Sequence, residues 1–291
     1  MYPPNFDYVK PTSVDEVLDL LAQHEDEAKI VAGGQSLIPM MKLRFVTPEL
    51  LIDVNGLQDM GGIHENGDLV IGAMTRHHQL ASDPMLMKKY PLIPSAGRQV
   101  ADPLIRNLGT LGGSLCHNDP RADWPSVILA MNARLVVRSK TGQREVGIQS
   151  FVCDEGPLDN VLEGTEMVTE IRIPKPQGRS GGHYLKLERK VGDYATAAAA
   201  AHLVLDDQGR ISYAGIGLTG VGLTCLKATA AEQSLIGQAP SEALFAQAGQ
   251  LAASAASPKS DVRGSETYKR HLTAVYVRRA LTQAAQIAQS A

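Results

Sequence analysis

The spacing of hydrophobic residues changes within the first fifty positions of the chain. Between Val14 and His24 they recur every three or four residues, which predicts an amphipathic helix. Ser13 and Glu16 have the spacing of a capping box at the start of that helix. Residues 28–31 then read as a short buried strand that ends at a glycine pair. This part of the chain therefore predicts a small α/β unit.

Similar patterns continue up to a segment rich in proline and glycine at residues 174–182, the best candidate for a domain boundary. Before it, the pattern predicts strands at 50–54, 68–74, 133–137 and 167–173 and helices at 124–131 and at about 77–100, the latter broken by Pro84 and Pro91. After it, strands are predicted at 183–189, 195–205 and 211–218, and helices near 226–236, 241–255 and 266–288. The alanines of 195–201 favour a helix by propensity, but the hairpin turn at 206–209 favours a strand.

Two glycine pairs, about eighty residues apart, are the strongest chemical signal. We call Ala32–Leu37 (AGGQSL) the first glycine segment and Thr110–Ser114 (TLGGS) the second. Glycines let backbone N–H groups approach a pyrophosphate without a Cβ in the way, and consecutive N–H groups form an anion-binding concavity. Together the two segments are suited to a dinucleotide, one holding phosphate and the other the sugar or ribityl end.

Other interpretations of these residues remain open at this level. A tight structural turn explains the first segment alone equally well. Asp123 is suited to accept hydrogen bonds from ligand hydroxyls, but not to bind phosphate. With Asp119 and Arg121 it also suggests an acid–base site, although a solvated loop beside a helix N-terminus explains the same residues.

A third glycine motif, Gly215–Gly220, matches G-x-G-x-x-G literally. A dinucleotide fingerprint opens a helix and is followed about twenty residues later by an acidic residue that closes the next strand. Here the following residues start a helix poorly, and Glu242 falls inside a predicted helix. The motif is interpreted as a strand end and turn.

Composition narrows the function classes. The chain has 291 residues, 44% hydrophobic and 20% charged, with a net charge of −3, which gives no electrostatic reason to expect nucleic acid. No signal peptide or long apolar stretch stands out, so we expect a cytoplasmic protein. Cys116, Cys153 and Cys225 lie far apart, and the histidines lack metal-ligand spacing. We expect free buried thiols, no metal site, and an organic carrier if the protein handles electrons.

Several motifs together resemble one family. The chain is similar, over its whole length, to the FAD-binding medium subunit of molybdenum hydroxylases, which include xanthine dehydrogenase and aerobic carbon monoxide dehydrogenase. The resemblance is carried by FDY, AGGQSLIPMMK, ADPLIRNLGTLGG, the loop N-D-P-x-x-D, EIRIP and KLERKVGDYATAAAA. It implies an α+β fold: a two-part FAD-binding domain of the vanillyl-alcohol-oxidase (PCMH) type at 1–55 and 56–177, then a smaller α/β C-terminal domain at 178–291.

The resemblance also implies contacts with FAD. Those along the pyrophosphate are Ile30, Val31, Ala32, Gly33, Gly34, Gln35, Ser36 and Leu37, and those on the other side of the cofactor are Thr110, Leu111, Gly112, Gly113 and Ser114. The remaining matches are an acidic contact, a contact on the strand before the boundary, a basic contact and an aromatic near the flavin ring: Asp123, Val168, Lys186 and Tyr194. No residue of this chain is predicted to be catalytic or to bind metal.

The implied function is electron transfer. Substrate is hydroxylated at a molybdenum–pterin site in a large subunit, and electrons pass through two [2Fe–2S] clusters of a small subunit to the FAD of this chain. From there they reach an external acceptor such as a quinone. We expect a dimer of heterotrimers, peripherally associated with the inner membrane, and carbon monoxide as substrate. N-heteroaromatics, purines, alkaloids or aldehydes, a self-contained FAD oxidoreductase, and a non-enzymatic nucleotide-binding protein are the alternatives.

Overall fold

Three sheets organise the chain in the computed structural model, which describes residues 2–152 and 156–291. The first sheet is parallel, in the order β1-β3-β2, and consists of β1 (Asp7–Val9), β2 (Ala28–Val31) and β3 (Leu50–Asp53). The predicted helix α1 (Val14–His24) packs on one face of it through Val17, Leu18 and Leu21. The short helix α2 (Leu37–Lys42) follows the first glycine segment and packs Met41 against the other face.

Helix α1 begins where its N-terminal residues predict. The Ser13 side chain accepts a hydrogen bond from the backbone N–H of Glu16 at 3.2 Å. The Glu16 carboxylate accepts from the backbone N–H of Thr12, at 2.7 Å, and not from that of Ser13 as in a standard capping box. The helix start is thus stabilised from two adjacent residues.

The second sheet is antiparallel and contains five strands in the order β4-β5-β8-β6-β7. They are β4 (Ile63–Asn66), β5 (Asp68–Gly72), β6 (Arg134–Ser139), β7 (Gly142–Gly147) and β8 (Met167–Ile173). Six helices lie between β5 and β6: α3 (His77–Ser82), α4 (Pro84–Lys89), α5 (Leu92–Gly97), α6 (Pro103–Leu108), α7 (Leu111–His117) and α8 (Asp123–Ala130). Helix α9 (Ile148–Phe151) follows β7. Pro84 and Pro91 break the predicted helical region because each stands at the start of a new short helix.

The third sheet is antiparallel, with the order β12-β11-β10-β9. Its strands are β9 (Arg179–Leu187), β10 (Ala197–Leu205), β11 (Ile211–Thr219) and β12 (Leu226–Lys227), and its helices are α10 (Thr229–Leu235), α11 (Glu242–Ala255) and α12 (Glu266–Ser290). The alanine-rich run forms β10, as the hairpin context predicts. All nine residues of β10 are buried, between α12 and the α5 and α8 side of the molecule, so small side chains allow close packing.

The third glycine motif belongs to a strand and the turn after it, as the sequence predicts. Gly215 and Gly217 lie inside β11, which packs on α8. A Cβ at Gly215 would lie 1.7 Å from the carbonyl oxygen of Ala130, and one at Gly217 would lie 1.8 Å from that of Ser126. These glycines are needed for contact between helix and strand, and not for a ligand.

The starts of two elements, β9 and α10, differ from the prediction by three residues or more. Strand β9 begins at Arg179, inside the segment predicted to be a domain boundary. A Cβ at Gly181 would lie 2.0 Å from the carbonyl oxygen of Ala284 in α12, so this glycine permits close packing. The helix expected from 226 begins at Thr229, because residues 226–227 pair with β11.

The architecture confirms the predicted α+β class. No helix in the described part of the chain is long and apolar enough to cross a membrane.

Candidate functional site

The first glycine segment connects β2 to α2 and leaves its backbone donors unused. Gly34 has a φ of +70°, a conformation that glycine adopts without strain. The Gln35 side chain closes the turn by donating to the carbonyl oxygen of Gly33 at 2.9 Å. Among the described residues, no acceptor receives the backbone N–H groups of residues 33–37. Consecutive unpaired N–H groups form a concavity that suits an anionic group.

The second glycine segment differs from the expected donor loop. Thr110 caps helix α7, its hydroxyl accepting from the N–H of Gly113 at 3.1 Å. The other N–H groups of residues 111–114 donate to the carbonyl oxygens of Thr75, Ala73 and Thr110. The backbone donors of residues 111–114 are therefore already paired within the protein, and binding of a ligand by this segment stays a prediction. Gly113 itself is exposed and leaves an open helix face.

The fold brings the two segments into contact. A Cβ at Gly33 would lie 2.5 Å from the carbonyl oxygen of Leu108, two residues before the second segment. A Cβ at Gly113 would lie 3.8 Å from the Cβ of Ala32. On the opposite side, Gly112 packs so closely on Ala73 that a Cβ would lie 2.7 Å from the alanine Cβ. The glycines thus allow the segments to form one continuous surface.

A cavity of about 350 Å³ opens beside the first segment on the face of the first sheet that α2 covers only in part. Tyr8, Ile38 and Leu51 give it apolar walls, and Asp53 and Asn55 add polar groups at the end of β3. The cavity adjoins the unpaired N–H groups, so this end of the site is suited to a ligand with both an anionic and an apolar part.

A buried ion pair lies beyond the second segment. The Lys186 ammonium is 3.2 Å from Oδ1 of Asp123, and the lysine side chain is only 1% exposed. Tyr184 donates to the same carboxylate at 2.6 Å. Burial raises the pKa of Asp123, and the nearby ammonium of Lys186 opposes this rise. The predicted acidic and basic contacts are therefore adjacent, and the carboxylate is already held by protein donors.

Lys186 has further partners that fix it in place. It donates to the carbonyl oxygens of Gln99, at 2.6 Å, and Asp193, at 3.2 Å, and lies 3.2 Å from the Glu188 carboxylate. The Glu188 Oε2 atom is buried and accepts no hydrogen bond from the residues that the structure describes. Two carboxylates, those of Asp123 and Glu188, thus lie 3.2 Å from this single ammonium.

Tyr194 lies on the turn after β9 and is 44% exposed. Its N–H donates to Asp193 at 2.8 Å, and the same carboxylate accepts from Arg263 at 3.0 Å. Partial burial, together with Asp119 and Asp123, raises the pKa of the Tyr194 hydroxyl to about 12. The ring therefore stays neutral and borders the region of the buried ion pair.

Val168 lies behind the second segment and not in an open cleft. Its side chain is buried in β8. The backbone carbonyl of the next residue, Thr169, accepts the N–H of Ala73, and the Ala73 carbonyl in turn accepts that of Gly112. Val168 is therefore the buried neighbour, in β8, of the residue whose backbone is linked through Ala73 to the second segment.

The histidines and cysteines that the structure describes form no metal site. Among the described residues, no group of three or more His, Cys, Asp or Glu side chains could hold a metal ion. Cys116 and Cys225 are free, and burial raises the pKa of each thiol to about 12. Cys153 lies outside the described residues.

Because of two buried histidines, we expect the protein to be less stable in acid. Burial lowers the pKa of His77 and of His202 to about 4, from an ordinary value of 6.5. Because the pKa of each ring is lower in the folded state, the unfolded chain takes up protons first as the pH falls. The contribution of the two histidines to the free energy of unfolding is therefore complete above pH 6.5 and is lost as the pH falls towards 4. We expect the free energy of unfolding, measured with urea, to fall over this range.

One variant tests how much His202 contributes to this pH dependence of stability. His202→Leu removes a ring whose Nδ1 has no hydrogen-bond partner in the described part of the chain, and should flatten the pH profile of stability. His78→Leu, at an exposed position, is the control and should follow the parent protein. Parallel profiles for His202→Leu and the parent would show that His202 does not contribute.

Two residues that the sequence pattern does not single out, Asn55 and Arg76, connect the glycine segments. Asn55 donates to the carbonyl oxygen of Ala32 at 2.7 Å, and Arg76 donates to Asn55 at 2.7 Å. No local signal identifies them, because their partners lie 21 to 32 residues away in sequence.

Comparison with known proteins agrees with this geometry. Residues 4–176 match the family described as the FAD binding domain in molybdopterin dehydrogenase, and residues 182–284 match the CO dehydrogenase flavoprotein C-terminal domain. The chain is 40% identical to the carbon monoxide dehydrogenase medium chain of Hydrogenophaga pseudoflava, over 98% of each chain. It is 36% identical to subunit alpha of the 6-hydroxypseudooxynicotine dehydrogenase complex of Paenarthrobacter nicotinovorans, over 98% of this chain and 96% of that one.

Solved structures give the same result. Carbon monoxide dehydrogenase from H. pseudoflava, in a form that lacks the Mo-pyranopterin moiety of its cofactor, superposes with a TM-score of 0.94 at 40% identity, over 99% of each chain. Quinoline 2-oxidoreductase from Pseudomonas putida 86 superposes with a TM-score of 0.90 at 34% identity, again over 99% of each chain. The chain therefore belongs to the FAD-binding medium subunits of the molybdenum hydroxylase family of oxidoreductases.

Proposed function

We propose that this chain is the electron-transfer subunit of a molybdenum hydroxylase complex. Its FAD receives electrons from the [2Fe–2S] clusters of a small subunit and passes them to an external acceptor such as a quinone, while a large molybdopterin subunit hydroxylates the substrate. The complex is a dimer of heterotrimers in the cytoplasm, associated peripherally with the inner membrane. The observation that carries the proposal is the contact between the two glycine segments, with five unpaired N–H groups at 33–37.

The residues present fit FAD. The first segment offers donors to the pyrophosphate, and its two glycines let that backbone approach a ligand closely. Lys186, Asp123 and Tyr194 lie together and form the polar and aromatic boundary for the flavin end. Bound FAD supplies the redox chemistry, and the chain supplies position and electrostatics.

Carbon monoxide is the substrate that we propose for the complex. Support comes from the 40% identity to the carbon monoxide dehydrogenase medium chains of two organisms. Relatives named for caffeine, glyceraldehyde and nicotine are 38%, 34% and 35% identical. Since the substrate is bound by the large subunit in this proposal, activity of the purified complex has to decide among them.

The cofactor assignment is tested on the chain purified with the subunits that accompany it. We expect flavin absorption bands and about one FAD per chain after heat release of the cofactor. A complex that releases no FAD on heating and takes up no added FAD would contradict the proposal. Substrate oxidation by this chain alone would point instead to a self-contained flavin oxidoreductase.

A further inference from the structure

Arg76, between β5 and α3, makes a two-pronged contact across the candidate site. Its Nη1 donates to the carbonyl oxygen of Leu108, and its Nη2 donates to Oδ1 of Asn55 at 2.7 Å. Asn55 reaches on to the carbonyl oxygen of Ala32 at 2.7 Å. A continuous path of hydrogen bonds therefore joins the residue that opens the first segment to the end of α6, just before the second. We call this path the Arg76–Asn55 bridge.

Both ends of the bridge are anchored. The Asn55 side chain also donates to Asp53 at 2.6 Å, and Asp53 accepts a hydrogen bond from the hydroxyl of Tyr8 in β1. The backbone of Arg76 pairs with that of Thr110, the residue that caps α7. The bridge thus ties the parallel sheet to the helix that carries the second segment.

An arginine is the suitable residue for this position. Its planar guanidinium presents donors in fixed, diverging directions and can hold two acceptors on different elements at once. Both carbonyl oxygens that the bridge covers flank the unpaired N–H groups of 33–37. The bridge therefore holds these two carbonyl groups, one beside each segment, at a fixed spacing.

We propose that Arg76 and Asn55 are positioning residues that fix the spacing between the two glycine segments, so that one dinucleotide can bind across both. This inference rests on the proposed FAD function. Asn55 is exposed and Arg76 only half-buried. Water therefore competes for their hydrogen bonds, and the bridge contributes more to a ligand that spans both segments than to the stability of the fold.

The test uses the purified complex after removal of its flavin. Arg76→Ala should weaken FAD binding at least tenfold, while binding of ADP, which lacks the flavin end, changes less than threefold. Arg76→Lys should not restore FAD affinity, because one ammonium cannot hold both acceptors. Asn55→Ala combined with Arg76→Ala should lose no more FAD affinity than Arg76→Ala alone, since both break one path. Arg98→Ala is the control, because its exposed guanidinium donates no hydrogen bond within the described residues.

Any one of three results would overturn the proposal. These are unchanged FAD affinity in Arg76→Ala, additive losses of FAD affinity in the double variant, and equal losses of affinity for FAD and for ADP. A second measurement does not depend on FAD. In the flavin-free protein, hydrogen exchange should rise in residues 111–114 of Arg76→Ala, whose N–H groups are paired, but not in β10. Unchanged exchange in residues 111–114 would also overturn the bridge. A parent complex that takes up no FAD contradicts the proposed function, whereas the exchange result still decides whether the bridge exists.

Discussion

Replacement of Gly33 with alanine is expected to weaken FAD binding at least tenfold and to lower the free energy of unfolding by about 1–3 kcal/mol. The added Cβ would lie 2.5 Å from the carbonyl oxygen of Leu108 and 2.7 Å from the Cα of Gly109. Both contacts are with backbone, so no side chain can rotate away. The two glycine segments must separate to accommodate the methyl group, and a cofactor bound across them loses its fit.

The control is Gly147→Ala, where no atom lies within 4 Å of the added Cβ and φ is −63°. Its stability and FAD affinity should match those of the parent protein. FAD affinity is measured by titration of the flavin-free complex, followed through the fluorescence of the added FAD, and stability by urea unfolding. Full FAD affinity in Gly33→Ala would show that cofactor binding does not need the close approach of the segments.

Replacement of Lys186 with methionine should have the second large effect. The substitution leaves the buried Asp123 and Glu188 carboxylates without their ammonium, and removing one partner of a buried ion pair costs about 3–5 kcal/mol of stability. FAD affinity should fall as well, because Lys186 is a predicted cofactor contact. Tyr184→Phe removes only one hydrogen bond to Asp123 and should cost about 1–2 kcal/mol.

The pH dependence distinguishes this loss from a simple packing defect. Burial already raises the pKa of Asp123, and Lys186 is the main group that opposes the rise. Without Lys186, the folded-state pKa lies further above the unfolded value. The folded variant then binds a proton that the unfolded chain does not, so it should be less destabilised at pH 5 than at pH 8. Lys88→Met, at an exposed position of α4, is the control, and an equal loss for Lys186→Met at both pH values would contradict this account.

The sequence by itself determined features that depend on neighbouring residues. Apolar spacing and the cap at Ser13 place α1, and Pro84 and Pro91 divide the helical region, because propensity and capping act within a few residues. The order of several independent motifs is also contained in the sequence, and it predicts the family and its cofactor. The domain limits and individual FAD contacts remain predictions.

The roles of particular glycines and polar groups became clear only from the tertiary structure. Gly215 and Gly217 match a nucleotide motif, yet they serve the packing of β11 on α8. The second glycine segment forms the start of α7, where the N–H groups of Leu111 and Gly112 are already paired with the carbonyl oxygens of Thr75 and Ala73. Those acceptors follow β5 and lie more than thirty residues earlier in the chain, so no local pattern predicts the contact.

The Arg76–Asn55 bridge and the Asp123–Lys186 pair could not be predicted from local patterns either. The residues of each pair lie 21 and 63 positions apart, and no periodic pattern relates them. Local spacing sets which helices and strands form, because backbone hydrogen bonds and caps join near neighbours. Which backbones touch, and so which donors stay free for a cofactor, depends on how three sheets and their helices pack together.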